Sequence, residues 1–148
     1  MTFVSSTTID ADDYEISVEL RNEAVEGIMI KENKNVKFLP IKVADIFPNL
    51  LIYRAWECSI SKISKKNFRG LKKLEEIYLW SNQIKEIEEN SFDDQTELKI
   101  LYLAWNKIKK LVENWFKNLR KLEKLSLHRN QLTSLPPNIF ANLVELKW

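Results

Sequence analysis

The chain has one cysteine, Cys58, so no internal disulfide can form. With only two glycines and four prolines in 148 residues, a flexible or polyproline linker has nothing to be built from. A formal net charge of +2 gives no bulk electrostatic case for nucleic acid. No apolar run approaches the ~20 residues that a helix needs to cross a bilayer. The opening "MTFVSSTTIDADDYE" has neither the basic start nor the apolar stretch of a secretory signal, and there is no Asn-x-Ser/Thr sequon. These absences describe a disulfide-free protein of a reducing compartment. The alternative is a longer precursor whose signal lies upstream of Met1. What remains, 45% hydrophobic and 30% charged residues, suits one soluble globular domain.

What is present is a repeat. Cys58, Asn82, Asn106 and Asn130 stand 24 residues apart, and the same frame recurs around each. Leu50, Leu74, Leu98 and Leu122 open the unit. Tyr53, Ile77, Leu101 and Leu125 hold its fourth place, and Ala55, Leu79, Leu103 and Leu127 its sixth. The Cys or Asn is ninth. Ile60, Ile84, Ile108 and Leu132 are eleventh, and Ile63, Ile87, Leu111 and Leu135 fourteenth. Phe68, Phe92, Phe116 and Phe140 are nineteenth. An earlier unit, "VEGIMIKENKNVKFL", fits with Asn33 ninth, but Val36 and Leu39 fall one residue late, giving a period of 25.

This pattern, LxxLxLxx(N/C)xL with a phenylalanine further on, resembles the leucine-rich repeat in its 24-residue form, as in secreted arthropod proteins. The resemblance covers Val25 to Trp148. It implies an α/β solenoid, a short horseshoe with a concave parallel sheet and an irregular or short-helical convex side. Residues 1–24 are then an N-terminal capping strand region and 25–148 the repeat domain, about five coils with the last one truncated. The alternating "YEISVEL" (Tyr14 to Leu20) is the expected capping strand, because end coils need a polar-backed cover. The arthropod relatives usually carry a disulfide in this region, and here no cysteine is available for it.

Physical chemistry gives each place its residue type. Places four and six have period 2 and face inward from a short strand, with strands expected near Tyr53–Ala55, Ile77–Leu79, Leu101–Leu103 and Leu125–Leu127. The ninth side chain sits where the backbone leaves the sheet, and Asn there satisfies loop groups at roughly 1 kcal/mol per bond. Cys58 substitutes as a small buried group with a weak S–H donor.

Places three, five, seven and eight then face solvent. Column five reads Met29, Arg54, Tyr78, Tyr102, Ser126; column seven Lys31, Trp56, Trp80, Ala104, His128; column eight Glu32, Glu57, Ser81, Trp105, Arg129. Five large aromatics therefore gather on three middle strands. Trp56, Tyr78, Trp80, Tyr102 and Trp105, with Arg54, Glu57, His128 and Arg129 around them, form the candidate partner-binding set. Tyr, Trp and Arg are the types enriched at binding hot spots. Cross-strand aromatic pairs also stabilise a sheet with no ligand, but a purely structural stripe would accept β-branched residues as readily. The expected function is non-enzymatic recognition of a protein ligand, with no nucleic acid and no membrane span. The alternative is a structural or self-assembling module. Leu146 and Trp148 open a strand that no later coil covers, so pairing at this edge, and a homodimer, are expected.

Other signals are weaker. His128 and Ser126 share a strand face, but a nucleophile and base need a third, orienting group, and the repeat places no Asp beside them. "DADD" (Asp10 to Asp13) lacks the spacing, Gly and distant Glu of an EF-hand loop. No cofactor or metal is implied. Lys65, Lys66, Arg69, Lys72 and Lys73 make a basic run answered one coil later by Glu86, Glu88, Glu89, Asp93 and Asp94, so the outer surface is striped in charge. Trp115 is expected to pack outside the coil beside Phe116.

Overall fold

The computed structural model describes residues 3–7, 16–21 and 24–147. In chain order the elements are strands β1 (Phe3–Thr7), β2 (Ile16–Arg21) and β3 (Ala24–Lys31), helix α1 (Val43–Ile46), strands β4 (Ile52–Trp56) and β5 (Lys62–Ile63), helix α2 (Lys65–Phe68), and strands β6 (Glu76–Tyr78), β7 (Glu86–Ile87), β8 (Ile100–Tyr102) and β9 (Lys124–Ser126). One seven-stranded sheet runs β1-β2-β3-β4-β6-β8-β9. Its first three strands pair antiparallel, and from β3 onward every pair is parallel. β5 and β7 pair separately. The result is the expected solenoid: a parallel sheet on one side of stacked coils, with turns and four-residue helices on the other. Of the expected strand Tyr14–Leu20, Tyr14 and Glu15 lie outside the described residues, as do Asp10 to Asp13 and Trp148.

The register follows the 24-residue period. Tyr53 pairs with Ile77, Ile77 with Leu101 and Leu101 with Leu125. Leu50, Tyr53, Ala55, Leu74, Ile77, Leu79, Leu98, Leu101 and Leu103 are fully buried, and Phe68, Phe92 and Phe116 fill the far wall. The phenylalanine column is in places a stack, with Phe68 and Phe92 centroids 5.7 Å apart and Phe116 and Phe140 6.4 Å apart.

The ninth place acts as a ladder. Asn106 Nδ2 donates to Leu79 O of the preceding coil at 2.9 Å and to Leu103 O of its own at 3.1 Å, while its Oδ1 accepts from Ile84 N at 3.0 Å. Asn82 and Asn130 repeat the arrangement one coil either side. Cys58 has no such reach. Its Sγ donates to Trp56 O at 3.3 Å and lies 4.0 Å from Ile30 O. This ladder also explains why β6, β8 and β9 end at place five, one residue short of expectation. Beyond it, the place-six carbonyls belong to asparagine amides and not to the sheet.

Two expectations need correction. Leu125 and Leu127 are only half-buried, because no coil of the described residues lies over them. Met29 and Ala104, assigned to the open face, are buried. In the first coil, Met29 pairs with Arg54, 25 residues on, whereas Ser59 N donates to Val36 O just as Gln83 N does to Ile60 O, 24 residues on. The extra residue therefore lies between Asn33 and Val36, as the late Val36 and Leu39 of the sequence indicate, and there Asn33 Oδ1 closes a local turn on Asn35 N at 3.0 Å instead of joining the ladder. Place 22, outside the frame read from the sequence, is leucine at 71, 119 and 143 but holds a fully buried glutamine, Gln95, whose Nε2 donates to Phe68 O at 2.8 Å.

Ion pairs join neighbouring coils, and the acidic stripe is met by lysines outside the basic run. Lys62 meets Glu88 at 3.1 Å, Lys117 meets Asp93 at 3.3 Å and Lys121 meets Glu97 at 2.6 Å. At the rim of the sheet Lys99 pairs with Glu75 at 2.8 Å and Lys147 with Glu123 at 2.7 Å. All are at least partly open to solvent, so each contributes only ~0–1 kcal/mol.

Candidate functional site

The alternation that buries places four and six sends places three, five and seven to the open face of the sheet. Place eight is set differently. Glu32, Glu57, Ser81, Trp105 and Arg129 all adopt positive φ, between 54° and 57°. The chain leaves each strand through a left-handed residue, which bulky side chains rarely adopt. At this place a tryptophan is conformationally the least expected of the five, and Trp105 is also the most exposed aromatic of the set, at 53%.

The aromatics divide into two groups. Towards the N-terminal coils, Trp56 and Trp80 stack with centroids 5.8 Å apart and planes 10° apart. Beside them Tyr78 and Tyr102 meet edge to face at 5.2 Å, and the Arg54 guanidinium lies 5.6 Å from the Tyr78 centroid. Tyr78 Oη donates to Glu76 Oε2 at 2.9 Å. Burial first, and this bond to a carboxylate second, push the Tyr78 phenol up to about 12. These four rings are half-buried.

Towards the C-terminal coils the packing opens. Column seven places Ala104 between Trp80 and His128, and this small residue leaves a hollow of about 670 Å³. Trp80, Tyr102 and Trp105 supply its aromatic walls, Ala104 and Leu125 are also apolar, and Lys124, Ser126 and His128 add polar groups. The Trp105 and His128 rings meet at 78° with centroids 6.5 Å apart, and the Arg129 guanidinium lies 5.1 Å from the Trp105 ring centroid. Ser126 Oγ and His128 Nδ1 are 2.9 Å apart. No carboxylate lines the hollow. The Ser126 and His128 pair therefore has no orienting acid among the hollow's residues, while a ligand there meets only neutral or cationic side chains.

The structure thus brings together Trp80, Tyr102, Trp105 and His128 of the expected set, with Arg129 adjoining through Trp105. It puts Trp56, Tyr78 and Arg54 in a second, more filled group, with Glu57 at the left-handed place beside them. Sequence reasoning missed Ala104, Lys124 and Leu125. The signal for Ala104 was available: it is the smallest residue in a column otherwise made of Lys, Trp, Trp and His. Cys58 is fully buried, and burial raises its thiol above the ordinary value, with the backbone of Asn33 opposing. Among the described residues no group of three metal-ligating side chains occurs, and no helix is long and apolar enough to cross a membrane.

Comparison with known proteins gives one family. The leucine rich repeat model matches residues 56–108 and 96–148, more than half of the chain. Among solved structures, the crystal structure of the TLR13-ssRNA13 complex is similar at 35% identity and a TM-score of 0.64 over 68% of this chain. The match spans 15% of that structure's own chain. No curated protein matches the sequence.

Proposed function

The chain belongs to the leucine-rich repeat family, and on that footing we propose that it is a non-enzymatic recognition module whose open sheet face binds a protein ligand. Residues 25–148 are the binding domain and residues 1–24 its N-terminal cap. The observation that carries the reading is Trp105: a large ring, half-exposed, held in a left-handed backbone conformation at the lip of an apolar hollow. Exposed tryptophan adds little core packing, and covering it would gain ~25 cal/mol per Å² of apolar surface before ordering costs. The sheet beneath is fixed by the asparagine ladder, which keeps those ordering costs low.

A protein fits the face better than RNA does, although the structural relative was solved with ssRNA13. Single-stranded nucleic acid is held by stacking rings along a continuous cationic track. Here the columns that face outward carry Lys31, Arg54, Lys124 and Arg129 against Glu32, Glu57 and Glu76, and the glutamates would repel phosphates laid along the N-terminal coils.

The test is quantitative capture from native extract with wild-type, Trp105→Ser and Trp80→Ala chains, beside binding of a mixed-sequence single-stranded RNA. Both substitutions borrow residues the repeat already uses, Ser81 at place eight and Ala104 at place seven, so folding should survive. Loss of one protein band with both variants is expected. Capture indifferent to both, or RNA binding that they abolish, would reject the proposal.

A second reading has its own observation. On the last coil Leu127 and Leu132 are half-buried and Leu135 and Val144 are 53% and 73% exposed, so a module assembling through that end has apolar surface to bury. Sedimentation distinguishes the two, since only assembly gives a self-associated species without a partner.

A further inference from the structure

The charge on the open face is polarised along the solenoid, and the hollow sits at its positive end. Over the N-terminal coils, Glu32, Glu57 and Glu76 interleave with Lys31 and Arg54. Over the last two, the outward columns hold Lys124, His128 and Arg129 with no acid among them. The nearest carboxylate in sequence to Lys124, Glu123, is held by Lys147 at 2.7 Å, a bond that lowers its pKa, so it is engaged on the rim. Lys124 and His128 line the hollow themselves, and Arg129 lies against the Trp105 ring that walls it. Where Ser126 donates to His128 Nδ1, the neutral imidazole carries its proton on Nε2, which is then a donor.

From this geometry, and resting on the reading of the open face as a protein-binding surface, we propose that the hollow over Ala104 seats an aromatic or large aliphatic side chain of a partner segment that carries a carboxylate within one or two residues of it. The ring or branch packs between Trp80 and Trp105. The carboxylate reaches Lys124, Arg129 or His128 Nε2. The same polarity orients the segment, its acidic stretch over the last coils and any basic residues towards Glu57 and Glu76. Charge complementarity of this kind sets register and excludes wrong partners. A nucleobase with its phosphate would offer the hollow similar chemistry, but a longer RNA would have to cross the glutamates on the neighbouring coils.

Two charge reversals test this without disturbing the fold, because the repeat already contains them. Lys124→Glu copies Glu76 at place three, and Arg129→Glu copies Glu57 at place eight, where φ is 54°. The immobilised full chain is panned against a random 12-residue peptide display library, then against the double variant, with Trp105→Ser as the second bait. The expected result is enrichment of peptides pairing Trp, Phe, Tyr or Leu with Asp or Glu, binding at least ~10-fold weaker to the double variant, and a shift there to Lys or Arg beside the same apolar residue. Peptides that need Trp105 yet show no acidic bias would overturn the acidic-segment proposal and leave face recognition standing. Peptides indifferent to Trp105, or no enrichment at all, would overturn both. A mixed-sequence RNA 12-mer that binds the chain and displaces the selected peptides would reassign the hollow to nucleic acid.

Discussion

Trp56 and Trp80 lie flat against each other across neighbouring strands, centroids 5.8 Å apart and planes within 10°. Two outward tryptophans that stack in this way cover one face of each, and both are half-buried as a result. Trp105, in the next column, has Arg129 and a nearly perpendicular His128 for neighbours and stays open. Their substitutions should therefore separate. Trp80→Ala is expected to lower unfolding stability by about 1–2 kcal/mol, through the lost stack and cross-strand contact. Trp105→Ser should change it by less than about 0.5 kcal/mol, as surface changes usually do, while weakening partner binding by about 2 kcal/mol. Denaturant unfolding and partner titration of the two variants check the split.

The asparagine ladder should outweigh the cysteine at its head. Asn106→Ala strands the Ile84 N–H and removes a donor from Leu79 O, Leu103 O and Ala104 O, all in the interior. A cost of about 3 kcal/mol is expected, since each stranded buried group costs ~1–3 kcal/mol. Cys58→Ala loses only weak thiol contacts and should cost about 1 kcal/mol. Equal losses for the two would show that the ladder is not what binds coil to coil.

Cys58 should resist native-state labelling. It is fully buried and its thiol is raised by desolvation, so little reactive thiolate forms at neutral pH. The expected outcome is labelling by a thiol reagent only as fast as the chain unfolds. Rapid stoichiometric labelling under native conditions is the contrary result.

Tyr78 should imprint itself on stability at high pH. Its folded phenol titrates near 12 against an ordinary value of 10.0, raised by burial and by its bond to Glu76. Between those values the unfolded chain releases the proton and the folded chain keeps it. The Tyr78 contribution is thus complete below pH 10 and is lost as pH rises towards 12. Tyr78→Phe should lack that part of the slope, and Glu76→Gln should shift the phenol's ultraviolet titration to lower pH.

Leucines at place six should differ by coil. Leu103 is fully buried between neighbouring coils, whereas Leu127 is half-buried at the last strand. Leu103→Ala is expected to cost about 2–5 kcal/mol and Leu127→Ala about half as much. Appending one further 24-residue coil should raise the second cost to match the first.

The inward frame was legible in the sequence because burial imposes period 2 on each strand and stacking imposes 24 between coils. Both leave their mark at the leucines and asparagines of the frame. The exceptions are local. The extra residue between Asn33 and Val36 shows in the sequence as a late Val36 and Leu39, and the backbone bond to Val36 O fixes its place. Gln95 reads as a break in a leucine column until its amide is seen serving Phe68 O. The outward columns told where the aromatics stand but not which would remain uncovered. That depends on the neighbour each one meets: Trp80 meets Trp56, while the small Ala104 opens space on its other side. Charge polarity was present in the residues of columns three, seven and eight, and became chemistry only once the hollow was seen among them.

Site-specific photo-cross-linking in native extract tests recognition by the open face most directly. A photoreactive phenylalanine analogue replaces Ser126, inside the hollow, and in a second chain replaces Lys109, an exposed residue outside it. The expected result is a discrete protein adduct from position 126 that disappears when Trp105→Ser is added, with none from position 109. An adduct from position 109 alone, or one at 126 that persists without Trp105, would contradict recognition by this face.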